Sequence, residues 1–126
     1  MIKVTKRQVI HMHNILLEAT GGSAGLRSGE LLDSALYAPF HSIDGEDLYP
    51  TIEQKAARLG FGIIKNHPFV DGNKRIGLFV MLTFLELNGI ELIYTQKELI
   101  DLGLCLADGT SNYNMLLRWV IEHSGT

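Results

Sequence analysis

The segment Asn73–Leu87, NKRIGLFVMLTFLEL, limits the possible folds because its spacing predicts a helix that is apolar on nearly every side. The apolar residues around its circumference are Ile76, Leu78, Phe79, Val80, Leu82, Phe84 and Leu85. Other protein segments must cover most of the surface of such a helix. We therefore expect it to be the central helix of the fold, ending at Asn88-Gly89.

Five further helices are predicted from apolar residues at helical spacing and from capping signals. Their predicted ranges are 5–20, 28–38, 51–67, 95–107 and 111–123. Thr5 and Ser28 are candidate N-caps, and TQKE at Thr95–Glu98 matches a capping box. The residues predicted to face inward from the first helix are Val9, Met12, Leu16 and Ala19. Strand-like alternation is nearly absent, so we predict a compact all-α fold of about six helices.

The segment that we call the flap, residues 39–50, lies between two prolines and reads PFHSIDGEDLYP. Its Asp44-Gly45 pair is a turn signal between two short apolar positions, which predicts a loop or a short β-hairpin. Asp44, Glu46 and Asp47 also give the flap a marked acidic character.

Composition predicts one domain spanning residues 1–126, because 126 residues with 46% hydrophobic side chains can build one core. A formal net charge of -3 argues against direct binding of nucleic acid by this chain. Cys105 is the single cysteine, so no intrachain disulfide can form and a reducing cytoplasm is the expected location. The longest apolar run, IGLFVMLTFL, is too short to cross a membrane.

The segment Asn66–Gly77, NHPFVDGNKRIG, concentrates polar chemistry between two predicted helices. Lys74 and Arg75 fall in the first turn of the second helix, where basic side chains are unfavourable unless an anion is bound. Asp71, just before this turn, is placed to hold Mg²⁺ beside a phosphate group. His67 is a candidate general base for an attacking hydroxyl.

A purely structural interpretation of the same residues remains open. Asp-Gly is a common turn pair, Asn and Asp are common helix caps, and exposed basic side chains are often only solvated. Phe69 is expected to anchor the turn in the core, with Pro68 stiffening it. His11 and His13, in HMH, are not predicted to share a metal ion, because positions i and i+2 lie on different faces of a helix.

The sequence HPFVDGNKR resembles the signature of the Fic/Doc superfamily, His-x-Phe-x-Asp/Glu-Gly/Ala-Asn-Gly/Lys-Arg, at each defined position. The segment GLRSGELLDSAL, residues 25–36, is similar to a segment near the N-terminus of small death-on-curing (Doc) proteins. The order of predicted helices also resembles that family along nearly the whole chain.

Two departures from the larger Fic enzymes, which transfer AMP, indicate the branch. Those enzymes have Gly after the Asn and a second Arg three residues beyond the first, whereas this chain has Lys74 and Leu78. Lysine adds bulk and a point charge, and loss of the second Arg removes a fork-shaped clamp. The resemblance to Doc implies that ATP binds inverted, with the γ-phosphoryl group facing the base, so that the reaction is phosphoryl transfer.

By this resemblance, His67 is the base on a target Ser or Thr hydroxyl and Asp71 holds Mg²⁺. Gly72, Asn73, Lys74 and Arg75 then bind the phosphates of ATP. The resemblance further implies a toxin of a type II toxin–antitoxin module, with a cognate antitoxin as partner. Its implied protein substrate is elongation factor Tu, whose phosphorylation stops translation. The flap corresponds to the place where relatives dock a target segment.

Two alternatives stay open at the level of sequence. The same fold could transfer AMP or another nucleotide, since the backbone of Gly72 and Asn73 could still cradle an α-phosphate. The chain could instead be a non-catalytic helical module that binds a phosphate ligand or a partner, or that acts as a co-repressor with its antitoxin. The presence of both His67 and Asp71 argues against a purely binding role.

Overall fold

The computed structural model describes residues 1–107 and 112–125. Six α-helices lie within these residues: α1 (Lys6–Thr20), α2 (Gly29–Tyr37), α3 (Ile52–Asn66), α4 (Asn73–Leu87), α5 (Gln96–Ala107) and α6 (Tyr113–His123). A 3₁₀ turn at Ala38–Phe40 follows α2, and strands β1 (Ser42–Ile43) and β2 (Glu46–Asp47) form one antiparallel hairpin. The predicted all-α fold with a small hairpin is confirmed. The predicted start of the last helix, Ser111, lies outside the described residues.

Capping side chains explain where the helices begin. Thr5 accepts a hydrogen bond from the backbone of Gln8 and forms a reciprocal capping box with it, and Thr51 does the same with Gln54. Ser28 caps α2. At the start of α5, Thr95 N donates to Glu98 Oε1 and Glu98 N donates to Thr95 Oγ1. The three N-terminal signals identified in the sequence, at Thr5, Ser28 and TQKE, are therefore confirmed.

Helix α3 occupies the centre of the fold, because it packs against α2, the 3₁₀ turn, α4 and α6. Its buried residues are Lys55, Ala56, Ala57, Leu59, Gly60, Gly62, Ile63 and Ile64. Our prediction that α4 is the central helix is wrong, because Phe79 on α4 is 38% exposed and Leu87 is exposed as well. Helix α4 buries one face, mainly against α3, and also packs against α1 and α5.

Small residues explain why α3, and not α4, is the central helix. A Cβ atom built on Gly77 would lie 2.7 Å from Ile64 Cγ1, and one built on Gly60 would lie 3.1 Å from Met81 Cβ. These glycines let the two helices approach closely. A helix rich in Ala and Gly can be surrounded on all sides without being strongly apolar in sequence, which is why the apolar pattern pointed to the wrong helix.

Helix α1 buries a stripe that differs from the predicted one. Val9, His13 and Leu17 are buried, whereas Met12 and Leu16 are half-buried and Ala19 is exposed. The stripe shifts because the imidazole of His13 finds a hydrogen-bond partner inside the protein, so a polar residue occupies a core position.

The flap contains a short antiparallel hairpin with a two-residue turn. In this hairpin, Ser42 pairs with Asp47 and Ile43 pairs with Glu46. Its turn residues Asp44 and Gly45 have φ angles of 52° and 81°, as hairpin turns of this length require. Lys55 on α3 is buried beneath the flap, where its Nζ contacts Asp47 Oδ2 at 3.3 Å and donates to the carbonyl oxygen of Tyr49. A single buried ammonium group therefore ties the flap to the central helix.

Helix α5 is joined to the C-terminal helix by an ion pair. His123 Nε2 lies 2.5 Å from Glu98 Oε2, and His123 Nδ1 donates to the carbonyl oxygen of Trp119 at 2.7 Å. Both ring nitrogens face acceptors, which favours the imidazolium form.

Among the residues that the structure describes, no helix has the length and hydropathy needed to span a membrane.

Candidate active site

The turn between α3 and α4 carries the polar cluster found in the sequence. Helix α3 ends at Asn66 and is followed by its C-cap residue His67, whose backbone is left-handed with φ 50° and ψ 54°. Phe69 is buried and anchors the turn, while Gly72, with φ 76°, is the N-cap residue that precedes α4. Left-handed residues at both ends of the turn reverse the chain within six residues, 67–72. The result places the end of one helix beside the start of the next.

The loop between α1 and α2, residues 21–28, fixes this turn from outside. Arg27 Nε donates to His67 O at 2.8 Å, and Arg27 Nη2 donates to Asn66 O at 3.0 Å. The backbone N–H groups of Arg27 and Ser28 both donate to Pro68 O, at 2.7 and 3.0 Å. The Arg27 guanidinium thus satisfies carbonyl groups at the C-terminal end of α3, where a cation is also favoured by the helix dipole.

Asp71 is held as an ionised carboxylate by backbone N–H groups. Ser23 N donates to its Oδ2 at 3.1 Å, and Gly72 N donates to its Oδ1 at 2.8 Å. These two hydrogen bonds, with a smaller contribution from the charge of Arg75, lower the pKa of Asp71 below its usual value. Arg75 Nη2 lies 3.8 Å from Asp71 Oδ1. The side chain is half-exposed, so its remaining lone pairs can reach a ligand.

His13 supports the turn from inside the protein. Its side chain comes from α1 and is 1% exposed. Its Nε2 donates to the carbonyl oxygen of Asp71 at 2.8 Å, and its ring stacks on Phe69 with centroids 3.9 Å apart and planes 12° from parallel. The imidazole therefore fixes the backbone at Asp71 and the ring that anchors the turn.

The N-terminus of α4 forms a candidate anion cradle. No described side chain caps it, and no carboxylate lies in its first turn. Lys74 forms no ion pair with the carboxylates of the described residues. Arg75 Nη1 donates to Thr20 Oγ1 at 2.5 Å and to Gly21 O at 3.1 Å. Free N–H groups, the dipole and two cations at one point favour a bound anion.

A cleft of about 430 Å³ lies over this cradle. The described residues that line it are His67, Val70, Asp71, Gly72, Asn73, Lys74, Arg75, Leu78 and Gly103. All six residues that the sequence singled out for catalysis or phosphate binding lie in this one place. Asp71 is the one carboxylate among these lining residues, and Leu78 stands on the cleft wall one turn after Lys74.

The side chain of Asn73 has a different place from the one we predicted. It is 5% exposed, and its two polar atoms bond to the backbone of Phe69 and to the ring of His67. An amide already bonded inside the turn has little capacity left for a phosphate. We therefore keep the prediction that Asn73 binds phosphate for its backbone N–H at the helix N-terminus, and not for its side chain.

Three supporting residues were missed from the sequence: His13, Ser23 and Arg27. Val9, His13 and Leu17 recur every four residues, so the apolar face of α1 already contained His13 as a polar residue in a core position. Ser23 acts through its backbone N–H, which leaves no residue-type signal.

As predicted, His11 and His13 do not meet, because His11 is exposed and His13 is buried. Within residues 1–107 and 112–125, no three His, Cys, Asp or Glu side chains are grouped closely enough to hold a metal ion without other ligands.

Comparison with known proteins relates this site to a family. A family model described as Fic/DOC family matches residues 3–85, a range that contains every described residue of the cleft except Gly103. The protein named Toxin Doc from Mycolicibacterium smegmatis (strain ATCC 700084 / mc(2)155) is 42% identical over 74 residues. That alignment covers 59% of this chain and 57% of the relative, so the chain matches a little more than half of the relative's length.

Proposed function

The chain belongs to the Fic/DOC family, and from that membership we propose that it is a Doc-type toxin that transfers the γ-phosphoryl group of ATP to a Ser or Thr hydroxyl of a target protein. The observation that carries the proposal is the convergence of His67, Asp71 and the α4 cradle on one cleft. A base, a carboxylate and an anion site are the parts that phosphoryl transfer needs. The similarity to a protein named Toxin Doc supports the branch.

Asp71 fits the role of a magnesium ligand. Its carboxylate is held ionised by two backbone N–H groups and is half-exposed toward the cleft. Mg²⁺ is commonly bound through one or two carboxylates together with phosphate oxygens and water, so a single carboxylate is sufficient. When bound, the ion would neutralise phosphate charge. Gly72, Lys74 and Arg75, with the backbone N–H of Asn73, bind and orient the phosphates.

In the proposed reaction, His67 accepts the proton of the target hydroxyl while the hydroxyl oxygen forms a bond to the γ-phosphorus of ATP. The bond between that phosphorus and the bridging oxygen of the β-phosphate breaks, and ADP leaves with the bonding electrons. The protein contributes position and charge, since no covalent intermediate on the chain is needed. Arg27 and His13 keep the turn rigid, which preserves the alignment of these groups.

Lys74 and Leu78 favour phosphoryl over nucleotidyl transfer. Leu78 stands on the cleft wall at the position where the larger Fic enzymes carry a second Arg. Without that fork-shaped clamp, and with a lysine instead of glycine beside the backbone cradle, a nucleotide has different contacts available. These two residues support the inverted binding of ATP that the Doc branch implies.

We propose elongation factor Tu as the target and a cognate antitoxin as the partner within a type II toxin–antitoxin module. Phosphorylation of this target would stop translation. The flap supports target binding, because its short hairpin offers exposed strand backbone and Lys55 holds it in place over α3.

The reaction type can be tested without knowing the target. Bacterial extract is incubated with the purified chain and ATP labelled on either the γ- or the α-phosphate, and labelled proteins are separated by mass. We expect a protein band labelled from γ-labelled ATP, dependent on Mg²⁺ and absent with His67→Ala. The matched control is Lys65→Ala, which removes an exposed side chain two residues away. A band labelled only from α-labelled ATP would replace the kinase proposal with nucleotidyl transfer.

A further inference from the structure

The side chain of Asn73 is buried inside the turn that carries the proposed base. Asn73 is the first residue of α4 and lies beneath His67 and Phe69, with 5% of its surface exposed. Three hydrogen bonds join its amide group to these two residues. Buried networks of this kind fix one arrangement of donors and acceptors when every member is satisfied.

The backbone of Phe69 determines which end of the amide is oxygen. Phe69 N, which can only donate, lies 2.9 Å from Asn73 Oδ1. Phe69 O, which can only accept, lies 2.9 Å from Asn73 Nδ2. Exchanging the oxygen and nitrogen would bring two donors together and two acceptors together. The amide orientation therefore follows from its partners.

The amide orientation in turn determines the tautomer of His67. One N–H of Asn73 Nδ2 is directed to Phe69 O, and the nitrogen also lies 3.0 Å from His67 Nδ1. Since an amide NH₂ group only donates, His67 Nδ1 must present its lone pair. In a neutral imidazole the proton then resides on Nε2, the other ring nitrogen.

We propose that Asn73 is a positioning residue that holds the resting His67 with its proton on Nε2. Because Nδ1 is occupied by Asn73, Nε2 is the nitrogen left for a substrate. A target hydroxyl approaching Nε2 in the resting chain meets a donor, which cannot take its proton. This functional consequence rests on the proposed role of His67 as the base, whereas the tautomer itself does not.

Base catalysis then requires a defined change inside the turn. The bond from Asn73 Nδ2 to His67 Nδ1 must break, and the imidazole must exchange its Nε2 proton for one on Nδ1. The rest of the turn can remain in place during this change. Arg27 continues to bind His67 O, and Asn73 Oδ1 continues to accept from Phe69 N. In the resting turn, His67 therefore becomes available as a base only after its hydrogen bond with Asn73 has broken.

The tautomer can be measured directly on the free protein. Long-range proton–nitrogen NMR spectra of the ¹⁵N-labelled full chain are recorded near pH 9, about 2.5 units above the usual pKa of imidazole. Signals of His67 are assigned by their loss in His67→Gln. We expect the Nε2–H pattern for His67. The exposed His11 gives the reference for a ring without an imposed tautomer, and His13 gives a buried Nε2–H reference.

The variant Asn73→Asp tests whether residue 73 imposes the tautomer. A carboxylate can accept from Nδ1–H, so we expect His67 to change to the Nδ1–H form while His13 keeps its pattern. An Nδ1–H pattern in the natural chain, or a mixture equal to that of His11, would overturn the proposal. A folded Asn73→Asp chain that retains Nε2–H would do so as well.

The natural chain decides the tautomer even if Asn73→Asp does not fold. The spectra contain no ATP, metal or target, so their outcome is independent of whether the chain is a kinase. Conversely, a failure to transfer phosphate would remove the functional consequence while leaving the measured tautomer intact.

Discussion

His13 donates a hydrogen bond from Nε2 to the carbonyl oxygen of Asp71 at 2.8 Å, although 58 positions separate the two residues in sequence. This bond joins the first helix to the turn that carries the proposed magnesium ligand. The same imidazole stacks on Phe69, the buried anchor of the turn. The geometry of the candidate site therefore depends on a residue that does not line the cleft.

We predict that His13→Ala destabilises the chain by about 2–4 kcal/mol, because it removes a buried ring and leaves the Asp71 carbonyl without its partner. Chemical denaturation of the variant measures this change. His11→Ala is the matched control, since its exposed side chain should cost less than about 0.5 kcal/mol. Equal stability of the two variants would contradict the supporting role of His13.

Substitution of Gly22 tests its close contact with the carboxylate of Asp71. Its φ angle is +122°, and a Cβ atom there would lie 2.6 Å from Asp71 Oδ2. Gly21 has φ +79° but no neighbour within 4 Å of such an atom. Both Gly→Ala changes should cost about 1–3 kcal/mol in backbone strain. Only Gly22→Ala should also reduce phosphoryl transfer at saturating ATP, and similar activity in the two variants would refute the contact.

Lys55 is predicted to keep the flap in place. Replacing it with Met removes the ammonium group that contacts Asp47 and Tyr49. Loss of a tether of about 1–2 kcal/mol should raise the opening of the flap about 5–30-fold. Hydrogen exchange at the amide of Leu48, which donates to His41 O, reports this opening. Lys65→Met, on the same helix but exposed, should leave the exchange rate unchanged.

The ion pair between Glu98 and His123 should make stability depend on pH. The carbonyl of Trp119 and the carboxylate of Glu98 raise the pKa of His123. Hydrogen bonds from the backbone of Thr95 and the side chain of His123 lower the pKa of Glu98. The His123 contribution is complete below the unfolded pKa of roughly 6.5 and is lost as pH rises through the higher folded pKa. The Glu98 contribution is lost as pH falls below roughly 4.3.

Melting temperatures measured between about pH 5 and pH 9 check this dependence. We expect a decrease above the usual pKa of histidine in the natural chain and a smaller decrease in His123→Gln. The His41→Gln variant, which changes an exposed histidine on the flap, is the control. The same pH dependence in all three chains would show that the pair contributes nothing.

The sequence was sufficient to predict the helices and to single out the turn whose residues line the cleft of the candidate site. Capping residues such as Thr5, Ser28 and Thr95 act locally, so their effect can be inferred from neighbours three residues away. The polar turn was identifiable because Lys74 and Arg75 stand where a helix usually has acidic residues. The resemblance of HPFVDGNKR to the Fic/Doc superfamily, including its Doc branch, is confirmed by the family model and the Doc relative.

The predictions failed where contacts between residues far apart in the sequence determine the structure. The central helix is α3, because Gly60 and Gly77 allow a close approach that an apolar pattern does not reveal. The assignment of Asn73 to phosphate binding stays a prediction for its backbone N–H, because the hydrogen bonds of its side chain to Phe69 could not be inferred from the sequence. The contacts of His13 and Arg27 with the turn require the folded arrangement of α1 and α3, so residue type alone could not indicate them.

The central claim is that His67 directs transfer of one phosphoryl group to a target protein. Intact mass spectrometry of purified elongation factor Tu, after incubation with the chain, Mg²⁺ and ATP, tests it most directly. We predict a gain of about 80 Da, one phosphoryl group, that is absent with His67→Ala. A gain of about 329 Da, one AMP, or a gain that persists in His67→Ala would contradict the account.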